Sequence, residues 1–188
     1  MKFLVAFLST IFITSIKCDL NPLECLPQAE RLRGFTFCQF GNQSSADQDV
    51  TKVKVAKNSF QGRLIESSQV TAILISFSDF DHIPNSVFQN FGDVTRLKIS
   101  NSKIAKIDRD DFSTASHLRV LEIENSEIGT VSSNAFGLLK NLEKIEIENC
   151  KFDKFSNDAL DGLEKLTIIK VENNTYHHSK PNIKNKNV

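Results

Sequence analysis

One spacing constrains this chain more than any other property of it. Val70, Val94, Leu118, Leu142 and Leu166 open five successive segments, each 24 residues after the last. Counted from these starts, the first, fourth, sixth and eleventh positions are apolar in every copy. They read Val94, Leu97, Ile99 and Ile104 in the second copy and Leu118, Leu121, Ile123 and Ile128 in the third. The ninth position is Ser78, Ser102, Ser126, Cys150 and Asn174; the fourteenth is Ile83, Ile107, Val131 and Phe155; the nineteenth is Phe88, Phe112, Phe136 and Leu160. A chain that holds seven positions in one phase is a repeat array, whose units cannot close their own apolar faces and must stack on their neighbours.

Positions three to seven of each copy alternate polar and apolar, the period-two mark of a strand with one buried face. Strands are therefore predicted near residues 53–55, 73–75, 97–99, 121–123, 145–147 and 169–171. The short side chain at position nine satisfies the buried backbone of an inward turn, and positions eleven, fourteen and nineteen fold back over the same core. Successive strands then form a parallel ladder spaced about 4.8 Å apart. An imperfect copy precedes the first full one, with Val50, Val53, Val55, Asn58 and Phe60 in phase but only 20 residues before Val70.

These residues resemble the leucine-rich repeat family, whose pattern is L-x-x-L-x-L-x-x-N/C-x-L within about 20 to 29 residues. The 24-residue form with a late Phe looks like the class common in extracellular members. The resemblance implies an α/β solenoid, with a curved parallel sheet on the concave side and short helices or turns on the convex side. It also implies a recognition protein and not an enzyme.

Four segments follow along the chain. Met1 and Lys2 precede an apolar run from Phe3 to Ile16, shorter than the about 20 residues a bilayer span needs, so residues 1–18 read as a secretory signal peptide. Cleavage after Ser15 is the second choice. The mature chain is thus expected to be secreted, and no other apolar run is long enough to span a membrane. Residues 19–49 hold Cys25 and Cys38, whose placement resembles the cysteine-flanked N-terminal cap of extracellular leucine-rich repeat proteins. That resemblance implies a Cys25–Cys38 disulfide; a mature chain that kept Cys18 would have four cysteines and three connectivities. The repeats occupy residues 50–176, one short and five of 24, with Cys150 read as a buried thiol. Residues 177–188 are a polar, basic tail with no cysteine cap. The last repeat then exposes an apolar edge, which the tail, a partner or self-association must cover. Asn42-Gln43-Ser44 and Asn173-Asn174-Thr175 are N-glycan acceptor motifs, Asn42 lying in the more loop-like stretch.

Catalysis, a cofactor and nucleic acid are not expected. The 23 Lys and Arg equal the 23 Asp and Glu, without the basic excess of a general nucleic-acid binder. No nucleophile and base stand at a telling spacing, no Gly-rich phosphate loop appears, and His177-His178 lacks fixed further ligands for a metal. The chemistry lies instead on the outward strand positions three, five and seven. Lys52, Lys54, Arg96 and Lys98 make one end basic; Glu122, Glu124, Glu146, Glu148 and Glu172, offset by Lys144 and Lys170, make the other end acidic. Glu124, Glu148 and Glu172 fall in one column, where like charges repel by about 1 kcal/mol even in water. The expectation is an extracellular or cell-surface protein partner whose basic patch docks on that column. The alternatives are a structural or matrix component assembling through the open edge, and a truncated ectodomain of a leucine-rich repeat receptor.

Overall fold

The computed structural model describes residues 37–41, 59–60, 63–64, 68 and 70–181. Its first strand is β1 (Phe37–Gly41), followed by a short antiparallel pair, β2 (Ser59–Phe60) and β3 (Arg63–Leu64). From Val70 onward every repeat supplies two strands. The first of each pair are β4 (Ala72–Ser76), β6 (Arg96–Ser100), β8 (Val120–Glu124), β10 (Lys144–Glu148) and β12 (Ile168–Glu172). The second are β5 (Asp79–Phe80), β7 (Lys103–Ile107), β9 (Glu127–Val131), β11 (Lys151–Phe155) and β13 (Thr175–Ser179). Two parallel sheets result, one of six strands in the order β1-β4-β6-β8-β10-β12 and one of five running β13-β11-β9-β7-β5.

The register is the repeat made visible. Leu97 pairs with Leu121 and Ile99 with Ile123, each partner one copy further on, and the same holds from β4 to β12. The five strands expected at the full repeats all form. The second sheet was not expected, because its positions do not alternate: β7 and β11 bury only their second and fifth residues.

The first rung also differs from the sequence reading. A strand near residues 53–55 would have sat beside β4. Both edges of β4 are occupied, by β1 on one side and β6 on the other, and Phe37 pairs with Ala72, 35 residues later. The first slot of the ladder thus belongs to the stretch read as the cap, and Cys38 lies within it opposite Ile73. Residues 51–58 lie outside the described residues, as does Cys25.

Between the sheets runs a single apolar core. Leu97, Ile99, Leu121, Ile123, Ile145 and Ile147 are fully buried from the first sheet, and Ile104, Ile107, Ile128 and Val131 meet them from the second. The position-nineteen rings pack behind in tilted contacts, Phe88 against Phe112 at 6.2 Å and Phe112 against Phe136 at 5.6 Å. Each such pair adds about 0.5–1.5 kcal/mol beyond its burial. A second aromatic cluster, Phe152, Phe155 and Tyr176, bridges the last two rungs, with Phe152 stacked on Tyr176 at 5.4 Å. Short helical turns connect the sheets, among them α1 (Ser86–Asn90) and a 3-10 turn at Arg109–Phe112 closed by an Asp108–Asp111 capping box. The expected parallel ladder and short turns are both present, but the side facing the ladder across the core carries a second parallel sheet as well as turns.

Candidate binding surface

The surface begins at the turn that ends each strand. Position eight adopts a left-handed conformation in all five full repeats, at Phe77, Asn101, Asn125, Asn149 and Asn173, with φ between 49° and 55°. Asparagine tolerates this conformation better than most residues. Position nine then turns inward and closes the gap between rungs. The Ser78 N–H donates to Ser102 Oγ at 3.2 Å, Ser102 N–H to Ser126 Oγ at 3.1 Å, and Cys150 N–H to Asn174 Oδ1 at 2.8 Å. The hydroxyls donate in turn to position seven, Ser102 to Ser100 O and Ser126 to Glu124 O, both at 2.8 Å. The Cys150 thiol takes the same place, reaching Glu148 O at 3.2 Å, and burial pushes its pKa up to about 11. It is an inert structural thiol.

With its turns locked, the six-stranded sheet presents positions three, five and seven outward. The charges there are not a free column. Arg96 grips Glu122 with both arms of its guanidinium, at 2.5 and 3.1 Å, and Lys144 stands 3.8 Å from the same carboxylate. Glu122 is only 7% exposed, so it is sunk among the side chains around it. Lys98 holds Glu124 at 2.8 Å, Lys144 holds Glu146 at 2.9 Å, and Lys170 holds Glu148 at 2.5 Å with Glu172 at 3.8 Å. The Glu148 carboxylate raises the pKa of Lys170. Glu124, Glu148 and Glu172 therefore do not stand uncompensated, as the column reading assumed. A base at position five, on the neighbouring strand or beside Glu172 on β12, reaches each of them.

The basic end is likewise absent from the described face. Lys52 and Lys54 lie outside the described residues, and the first rungs carry Ala72, Leu74 and Ser76, in register with Phe37, Gln39 and Gly41. What the structure places together is an uncharged end, a lattice of four bases and five acids over β6 to β12, and an exposed Ile168 at the far edge. Reading charged residues alone missed Ala72, Leu74, Val120 and Ile168, which share the same three outward positions. It also missed the ion pair of Arg119 and Glu143 at 3.5 Å, which lies at position two and outside that pattern. Of the two glycan acceptors, Asn42 lies outside the described residues, whereas Asn173 is exposed on its turn and its neighbour Asn174 is engaged by Cys150 N–H and Ile147 O.

Among the described residues no cluster of His, Cys, Asp or Glu could hold a metal ion, and no helix is long and apolar enough to cross a membrane. The repeat phase and the parallel ladder define a leucine-rich repeat solenoid. The family model described as leucine rich repeat matches residues 116–175. No curated protein matches it. Among solved structures it is similar to the crystal structure of a TLR13–ssRNA13 complex, with a TM-score of 0.45 and 18% identity. That match covers 58% of this chain and 19% of the other.

Proposed function

We propose that this chain is a secreted, non-catalytic binding protein that recognises another protein through the outward face of its six-stranded sheet. The observation that carries the reading is the ion-paired lattice of Arg96, Lys98, Glu122, Glu124, Lys144, Glu146, Glu148, Lys170 and Glu172. Side chains already held in pairs lose little further freedom on binding, which favours a preorganised surface. The apolar run from Phe3 to Ile16 supports export, which would suit a Cys25–Cys38 disulfide and glycans at Asn42 and Asn173. Closing a loop of that length stabilises by roughly 3 kcal/mol.

The test is comparative capture from the native secretion with three proteins: wild type, Glu124→Gln/Glu148→Gln/Glu172→Gln, and a control altered at the exposed convex residues Asp110 and Glu164. The reading expects a protein retained by wild type and control but lost, with its salt sensitivity, from the triple variant. Equal capture by all three would remove the face from consideration. A second reading, assembly through the far edge, is favoured by Ile168, half exposed on the outermost strand β12. Light scattering of the full chain, with mass rising with concentration and falling in Ile168→Lys, would support it.

A further inference from the structure

Phe77 breaks the rule of its own column. Position eight holds asparagine in the four later repeats, and in the first it holds a phenylalanine with φ 50°. A bulky side chain is a genuine outlier in that conformation. The ring gains no burial in exchange, since it is 63% exposed, the most exposed large apolar side chain among the described residues. The turn itself is ordinary, with Phe77 N–H donating to Ser100 O at 3.2 Å just as Asn101 N–H donates to Glu124 O at 3.2 Å. Strain and exposure fall together on one residue that the fold does not use. Such a coincidence marks functional sites.

The ring forms one end of an open groove of about 680 Å³ along the turns that end the strands, bordering the lattice of charges at Glu124. Asp79, Asn101, Lys103, Asn125 and Glu127 line it, with two buried serines at its floor. The Asn101 and Asn125 side-chain amides have no partner among the described residues, and neither Asp79 nor Lys103 makes an ion pair there; Glu127 is held by Lys151 at 3.0 Å. Apart from Phe77 no lining residue is apolar. A protein hot spot needs a surround that excludes water, which this groove does not have. A ligand with one C–H face and a rim of hydroxyls meets both features: the face covers the ring, and the hydroxyls pair with amides and carboxylates.

We propose that this groove binds a saccharide, with a pyranose ring stacked on Phe77 and its hydroxyls bonded to Asn101, Asn125 and Asp79. The site uses turn residues and not the outward strand positions, and it stands or falls independently of the protein-binding reading. The test is saturation-transfer NMR on the full chain, freed enzymatically of N-linked sugar, with chitotriose, cellotriose and mannotriose as probes. Transfer to the ring C–H protons of at least one probe is expected. Phe77→Asn installs the residue of the other repeats, so the melting temperature should hold or rise while transfer is lost. Asn101→Gly keeps the left-handed turn and removes one amide, so it should weaken binding by a few-fold. Absence of transfer from all three probes, transfer that survives Phe77→Asn, or a lower melting temperature in Phe77→Asn would each overturn the proposal. So would loss of a captured protein in Phe77→Asn without any saccharide response, which would assign the ring to a protein interface.

Discussion

Two rungs with the same sequence pattern behave differently. In β10, Ile145 and Ile147 are completely buried. One copy later, Ile169 and Val171 occupy the same positions in β12 and are only half-buried, while Ile168 beside them is 50% exposed. The residue types are equivalent; the neighbours are not. β10 has a strand on each side, whereas among the described residues β12 has one. Burial in this molecule is therefore conferred by the next rung, as expected of a quasi-one-dimensional array in which each unit contacts only its neighbours.

The largest test of that contrast is a charge at the centre. Ile147→Asp would bury a carboxylate without a partner and is expected to unfold the array, read as loss of the thermal transition. Val171→Asp, at the same position of the last rung, should leave a folded protein with a lower melting temperature. Truncation gives a graded version. Ile145→Ala should cost about 2–5 kcal/mol in denaturant unfolding, and Ile169→Ala about half as much, because water already reaches that site.

The interior also holds one exception to its own slot rule. Position eighteen is Val87 in the first full repeat and Ala135 and Ala159 in the third and fourth, all buried, whereas the second buries Asp111 there. Burial raises the Asp111 pKa to about 6, against the pull of the Asp108 N–H at 2.8 Å and of His82 at 3.2 Å. The folded state thus keeps a proton that the unfolded chain releases near pH 3.8. Stability from this group is present below about pH 4 and is lost as pH rises through about 6, by on the order of 3 kcal/mol. Asp111→Asn should flatten that part of the stability–pH curve.

The smallest effects lie on the outward face. Glu122→Gln leaves the Arg96 guanidinium without its bidentate partner and should cost about 1 kcal/mol. Glu172→Gln, on the last strand, should change stability by less than about 0.5 kcal/mol, as exposed pairs do. Equal effects from the two would contradict the contrast between the rungs.

Alternation made the first sheet legible, because a strand with one buried face writes its period directly into the sequence. The second sheet escaped for the same reason: Lys103-Ile104-Ala105-Lys106-Ile107 buries residues three apart, which no period-two template detects. The first strand escaped because Phe37–Gly41 stands 35 residues before its partner, out of phase with every later step. On the binding face, the columns named the charged residues that share a surface. Pairing ran across columns, from position five to position seven, and only the lateral register could show that Lys98 meets Glu124 and Lys170 meets Glu148. Phe77 was visible as the odd residue among four asparagines, yet its exposure and its groove needed the fold.

Native-state amide hydrogen exchange tests most directly whether order passes from rung to rung. Amides of β8, β9 and β10 should exchange most slowly, at rates set by global unfolding, and those of β12 and β13 should exchange at least about tenfold faster through local opening. Protection in β12 equal to that in β8 would contradict the account, because the last rung would then be stabilised without a second neighbour.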